Sequence, residues 1–358
     1  MSVDPIASVQ EGLAKSDLVR AVAAIRADGG RRFALGDGRS RNLLDSEEAE
    51  LQRLGNVADD WNSVLVSEGF DTSRVRSCTF HGEVLIGCFT ETALLGGGLR
   101  IPSGLVRSTI ANCIIGNGAL VQDVRLLANY VVGPGAILFA SGTIACCAPT
   151  DFGNGKSLPL GIQSGGREVP VFAEIDVETA AFMAAGRGRR EMFERYQNAV
   201  AGYVAAVRSE RGVIERHARI CNTATVRNVY VGPHAIIDGA TLVADSTLLS
   251  SESEPARVES GACVSSAIMQ WGSGASTHAV VERSVLTDHV HVEQHGKVID
   301  SILGPNTAVG SGEGRAGGRR AALADRAVAL PRRRTGLLGG GGGRERAGWR
   351  CGGSSICG

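Results

Sequence analysis

The chain has 358 residues, 43% of them hydrophobic and 21% charged, enough to bury the core of one large solenoid domain or two ordinary domains. No stretch approaches the ~20 apolar residues of a membrane span, and no basic N-terminal segment leads into an apolar signal run, so the chain reads as cytoplasmic and without a membrane partner. Formal charge sums to zero, yet Arg315 to Gly358 holds ten Arg, no Lys and two acidic residues, a net of +8. Nucleic-acid contact is thereby confined to that tail, because nothing before it forms a basic stripe with interleaved aromatics.

Residues 1–80 read as a helical and capping region. Ser8 to Ala27 has the spacing of an amphipathic helix, Gly29 to Arg41 reads as a loop or linker, and Ser46 to Leu54 as a second short helix. Trp61 and Phe70 are suited to plug the open end of a solenoid beginning near residue 81.

From that point the chain has a period of six. Over 81–150 the apolar series runs Ile115, Val121, Leu127, slips by one, and resumes at Val132, Leu138 and Ile144. Six is too long for strand alternation and does not fit the 3.6-residue helical turn, but it suits a short strand plus a tight turn with a β-branched residue pointing inward. Three such sides close a triangular coil, and Gly, Asn, Asp and Pro beside the register residues, as in Ile115-Gly116-Asn117-Gly118, supply the turns. The fold class is all-β: a left-handed parallel β-helix of hexapeptide type, stabilised by stacking of coils. The one-residue slips are expected at corners or bulges that tolerate loops.

Residues 151–175, opening with DFGNGKSLPLGIQSGGREVP, read as ordered loops over a coil edge. Residues 176–210 read as an inserted α-helical arm, with Asp176 as N-cap and Phe182, Phe193, Tyr196, Val200, Tyr203 and Val207 on its apolar face. The Gly-Arg-Gly-Arg run at 186–189 is expected to split it. The hexads return over 211–311, at Ile214, Ile220 and Val226, then Val231, Ile237, Val243 and Leu249, then Val258 and Val264, then Val280, Leu286, Val292 and Val298, then Leu303 and Val309. From 312 to 358 the period stops and an Arg/Gly-rich, low-complexity tail of disordered character begins. Nine Cys without a CxxC pair read as mostly buried free thiols, with neither metal site nor disulfide framework.

Several short runs in a fixed order resemble one bacterial family: Asp59-Asp60-Trp61, Phe80-His81-Gly82-Glu83-Val84, Ala128-Asn129-Tyr130, Phe152-Gly153-Asn154-Gly155, Gly165 to Pro170, and Asn222 to Gly232. The chain over roughly 42–310 is similar to the family known as domain of unknown function 4954, itself related in fold to the β-helical parts of sugar nucleotidyltransferases and hexapeptide acyltransferases. The resemblance implies a homo-oligomer, as a trimer, and transferase-like chemistry. Two departures stand out. Ile162-Gln163 occupies the place of an Asn-Glu pair, and after Gly312-Glu313 the tail replaces further β-helical sequence. A reading-frame change in a GC-rich gene and a genuine flexible Arg/Gly-rich tail both account for that ending.

The candidate site is the 151–170 loop, which concentrates amides and charge among glycines. Arg167 suits a bidentate contact with phosphate or carboxylate, while Asn129, Asn154 and Gln163 offer amides to hydroxyls; these four are the substrate-binding expectations. The catalytic expectations are Glu168 and His234, the latter after a Gly-Pro turn where the resemblance implies a general base. The alternative reading of each is structural: Arg167 and Glu168 as a pair holding the arm, His234 as a turn residue. His278, His289, His291 and His295 crowd a later region near Asp288 and Glu293 without a spacing that fixes three metal ligands. Gly96-Gly97-Gly98 lacks the Lys-Ser/Thr of a phosphate loop, and Arg187, Arg189 and Arg190 make only a weak anion patch. The sequence specifies no cofactor. Substrates consistent with it are a sugar phosphate, a nucleotide sugar or an acyl-coenzyme A with its acceptor; the competing function is a noncatalytic scaffold or ligand-binding oligomer, or a truncated copy without activity.

Overall fold

The structure is a computed structural model that describes residues 4–147, 149–160, 168–186 and 190–310. Three sheets run its length: sheet A with eleven strands, sheets B and C with ten each among the described residues. All pairings within them are parallel except the first of sheet A, where Ser40–Asn42 lies antiparallel to Val64–Ser67. Strands are two to four residues long, and the chain visits A, C and B in turn, making a β-solenoid.

Register explains both the period and its slips. Ile110 pairs with Leu127, Ile114 with Val131 and Val121 with Leu138, each seventeen positions on. The inward residues Ile110, Ile115, Val121 and Leu127 therefore step by five, six and six. The slip is a regular short edge, from sheet B to sheet A, repeated in each uninterrupted coil. Missing one such edge misplaces a residue. A strict period of six puts Leu249 and Val280 inside, but the core positions are Leu248 and Val281, while Leu249 joins the packing outside sheet A and Val280 is only half-buried. Because strand side chains alternate faces, an error of one residue exchanges inside for outside.

The sheets differ in what covers them. Sheet A strands carry adjacent apolar residues, such as Ile114-Ile115, Val131-Val132, Val213-Ile214 and Val285-Leu286, and both members of each pair are buried. The first of each pair joins an outer cluster with residues of the N-terminal helices and the insertion. This is the signature of a parallel sheet covered on both faces. Sheet B strands instead read Thr109-Ile110-Ala111 or Thr143-Ile144-Ala145, with only the central residue fully buried. Each fully buried Val, Leu or Ile contributes about 1.5–3 kcal/mol, and ordering the backbone opposes this by about 1–2 kcal/mol per residue. A single coil is therefore unstable and the stack is the folding unit.

Helices α1 (Pro5–Lys15) and α2 (Asp17–Asp28) replace the one helix expected over 8–27. Ser16 breaks them: it ends α1 in an extended conformation and its hydroxyl accepts from the Val19 amide, capping α2. The expected linker contains α3 (Arg31–Leu35) and the antiparallel strand, and α4 (Asp45–Arg53) takes the place of the second helix. Leu51, Trp61 and Phe70 pack against the solenoid core, Trp61 with its ring edge-on to Phe80 at 6.2 Å.

The chain leaves sheet B after Ala145 and re-enters sheet A at Gly212. Reciprocal hydrogen bonds between Thr150 and Ser209, at 2.8 and 2.9 Å, close the neck of this excursion. Beyond the neck come a short antiparallel hairpin, 157–159 with 168–170, then α5 (Val177–Ala185) and α6 (Arg190–Val207). Asp176 caps α5 as its sequence suggests, accepting from the Thr179 amide at 2.6 Å. Gln270 anchors the excursion to the sheet, its amide donating to the carbonyls of Ala173 and Ile175 at 2.9 and 2.8 Å. No helix among the described residues is long and apolar enough to cross a membrane. The basic tail, Arg187 and Arg189, and the last two cysteines lie outside the described residues.

Candidate functional site

A coil of seventeen residues must turn three times, and the corner residues with positive φ form columns along the edges. Left-handed backbone is least costly for Gly and next for Asn, Asp and His. Five of the seven histidines occupy such positions: His217, His234, His278, His289 and His295. His217, His234 and His289 lie on the edge from sheet A to sheet C, in a column that elsewhere carries Gly118, Gly135, Gly272 and Asn306. Imidazoles thus stand where glycine is also used.

His217 and His234, one coil apart, place their ring centroids 5.1 Å apart at a tilt of 39°. One coil earlier, Gly135 has a φ of +64°, and a Cβ there would lie 2.5 Å from His217 Nδ1. The absence of a side chain leaves His217 its place. His234 is half-buried. Burial, then the neighbouring His217, holds its imidazole below the ordinary range; the positive charges of Arg216 and Arg219 act in the same sense and Glu252 opposes. Neutral imidazole is the form that can accept a proton, and among the described residues neither ring of the pair makes a hydrogen bond. Further along the edge His289 Nε2 lies 3.2 Å from Glu254 Oε1, beside Asp288, whose buried Oδ1 has no hydrogen-bond partner and whose carboxyl is raised chiefly by burial. Among the described residues no cluster of three or more His, Cys, Asp or Glu has the arrangement of a metal site.

The other expected site residues fall elsewhere. Asn129 is a corner residue of the edge from B to A, where its amide donates to the Cys146 carbonyl of the next coil at 2.9 Å. Asn154 is buried against sheet A; its amide donates to the Asp151 carbonyl at 2.9 Å and to Thr247 Oγ1 at 3.1 Å, and its Oδ1 is buried without a partner. Both amides serve corners and packing. Glu168 is exposed, opposite Pro159 in the short hairpin. Gln163 and Arg167 lie outside the described residues. His234 and Asn129 occupy different edges of the solenoid, so they do not converge on one point. His278 and His295 stack at 5.3 Å on the third edge, from C to B.

Seven cysteines are described, all free. Burial pushes the thiols of Cys78 and Cys221 up to about 11 and those of Cys113 and Cys146 up to about 12, which leaves them protonated and unreactive.

Sequence reasoning missed a buried acid–hydroxyl group behind the edge. Glu215, two residues before His217, is buried with its carboxyl pushed up to about 7 by desolvation, and Tyr230 donates to its Oε1 at 3.2 Å. Tyr203 of α6 donates to Glu174 Oε2 at 2.6 Å and lies 3.2 Å from Ser16 Oγ. The available signal was Glu215 standing where the equivalent corners have Gly116, Gly133 and Gly232.

The family model described as "Domain of unknown function (DUF4954)" matches residues 40–317, and the chain belongs to that family. An "Uncharacterized protein" of Treponema pallidum (strain Nichols) is 25% identical over 243 residues, covering 65% of this chain. The match covers 34% of that relative's own length.

Proposed function

We propose that this member of the DUF4954 family is a transferase built on a left-handed, hexapeptide-type β-helix, with its reacting centre on the edge that carries His217 and His234. Its substrate is anionic: a phosphorylated or nucleotide-linked sugar, or the acceptor of an acyl group. The observation that carries this reading is the His217–His234 pair, half-buried at His234, flanked by Arg216 and Arg219 and without an internal hydrogen bond among the described residues.

Charge and protonation set the roles. A neutral His234 takes the proton of the acceptor hydroxyl or amine as that atom attacks the donor, and the proton then passes to the leaving group. Arg216 and Arg219 hold the anionic part of the substrate. In the same proposal, and on residue type alone, Gln163 and Arg167 bind substrate and Glu168 is a catalytic carboxylate. A symmetric trimer is the assembly in which neighbouring edges would face one another.

The test is a thermal-shift screen of the full chain with acyl-coenzyme A, coenzyme A, nucleotide sugars and sugar phosphates, followed by a turnover assay with whatever binds. A saturable shift weakened by Arg216→Ala, with turnover lost in His234→Asn, is the expected result. A folded, monodisperse chain that binds none of these ligands, or turnover indifferent to His234, would overturn the assignment in favour of a scaffold. Arg167→Ala tests the loop separately.

A further inference from the structure

Beside the apolar packing of Val9, Leu18, Val22 and Ile25, a polar chain joins helices α1 and α2 to the rest of the molecule. Ser16, at the break between them, is buried and meets Tyr203 Oη of α6 at 3.2 Å; Tyr203 donates onward to Glu174 Oε2 at 2.6 Å. The other carboxyl oxygen of Glu174 is buried and has no partner. Glu215 and Tyr230, on the sheet A side, are both buried and hydrogen-bonded to each other. Two further contacts bind the same helices to the insertion: Ser8 Oγ donates to Asp176 Oδ2 at 3.3 Å, and Arg26 donates to the carbonyls of Ala205 and Arg208 at the end of α6.

We propose that residues 5–28 form a pH-released clamp, closed over the insertion and sheet A while Glu174 and Glu215 carry protons and loosened when the two carboxyls ionise. The groups that face them come from every packed element. Helix α2 supplies Asp17, itself paired with Arg20, whose negative charge opposes ionisation of both acids. Ser16 at the helix break and Tyr203 of helix α6 act on Glu174, and Tyr230 and Arg216 of the solenoid act on Glu215; all four favour ionisation, though burial outweighs them. An ionised Glu174 would leave a charged oxygen without a donor, and opening the clamp gives it water.

Linkage fixes the sign. Both carboxyls are raised above their ordinary value, Glu215 to about 7, so the closed state binds more protons than the open one. Its advantage is complete below the ordinary carboxyl range and is lost as pH rises through the raised value.

The test is hydrogen exchange of the full chain read by mass spectrometry, corrected for intrinsic rates. The opening constant for amides in 5–28 should rise about tenfold between about pH 6 and about pH 8 if Glu215 alone titrates, and further with Glu174. Glu215→Gln and Glu174→Gln should each flatten that rise, while amides of the solenoid core around Val226 keep their protection at both pH values. Tyr203→Phe removes the bridging hydroxyl without removing the ring, and should raise exchange in 5–28 already at the lower pH. Equal protection of the wild-type helices at both pH values, an undiminished rise in both Gln variants, or loss of solenoid protection in parallel would each overturn the clamp.

Discussion

Two edges of the same solenoid solve one geometric problem in different ways. The edge from B to A turns mostly with amide and carboxylate residues, besides Ser266 and Arg283, and several bond to the neighbouring coil: Asn129 to the Cys146 carbonyl, and Asn228 to the Cys147 amide and to Asp245. The edge from A to C turns with glycines and histidines, apart from Asn306 in its last coil, and the His217–His234 pair has no such internal partner among the described residues. Positive φ is required on both. The hydrogen-bond inventory separates them: where a corner side chain is consumed by its neighbours its role is architectural, and where it is left over it is available to a ligand.

The largest test of this contrast is His234→Asn, which keeps a residue tolerant of left-handed backbone and removes the base. Turnover should fall about 10²–10⁴-fold with melting temperature nearly unchanged, as expected for loss of general-base catalysis. The wild-type rate should rise with pH through a value below the ordinary imidazole range and be fully developed at neutral pH, because burial and His217 favour the neutral ring. A rate unaffected by the substitution would erase the distinction between the edges.

Gly135→Ala comes next. The new Cβ is strained at a φ of +64° and would lie 2.5 Å from His217 Nδ1. Strain of this kind costs about 1–3 kcal/mol, readable by denaturant unfolding, and the displaced His217 should alter turnover as well. Loss of stability with unaltered turnover would place His217 outside the site.

Asn129→Ala should cost about 1–2 kcal/mol through one lost hydrogen bond and an Ala in left-handed backbone, with ligand affinity of the folded protein unchanged. A raised KM without a change in stability would return Asn129 to substrate binding. The smallest effect is expected for Arg283→Ala, again on the edge from B to A. Arg283 makes a bidentate pair with Asp300 at 2.7 and 2.9 Å, but its side chain is 46% exposed. Such pairs contribute under about 1 kcal/mol and less at high salt, so a larger loss of stability would mean that the edge depends on its ion pairs.

Much of the solenoid was legible because its cause is local and repeated. One inward apolar residue per side, often β-branched, with a turn-forming residue such as Gly, Asn, Asp or His at the corner, recurs whether or not its neighbours are known. The five-residue edge was visible as a slip, but its regularity appeared only when Ile110, Leu127 and Ile144 were seen paired across coils. Doubled apolar strands such as Val131-Val132 carried a further message, that one sheet is covered outside as well as inside. The candidate site was legible only in part. His234 stood out by its turn, whereas its relation to His217 depends on stacking of coils.

The sequence by itself determined the period, the three-sided coil and the helical insertion, since each arises from the spacing of residues close in the chain. Only the tertiary structure decided what those segments meet. Ser16 and Tyr203 are 187 positions apart, and no periodicity relates them. Whether Glu174, Glu215 and Tyr230 are surface groups or a buried acid–hydroxyl cluster depends on the N-terminal helices and the insertion closing over sheet A. Burial is a property of the assembled layers, and it is burial that sets the protonation of these carboxyls and of His234.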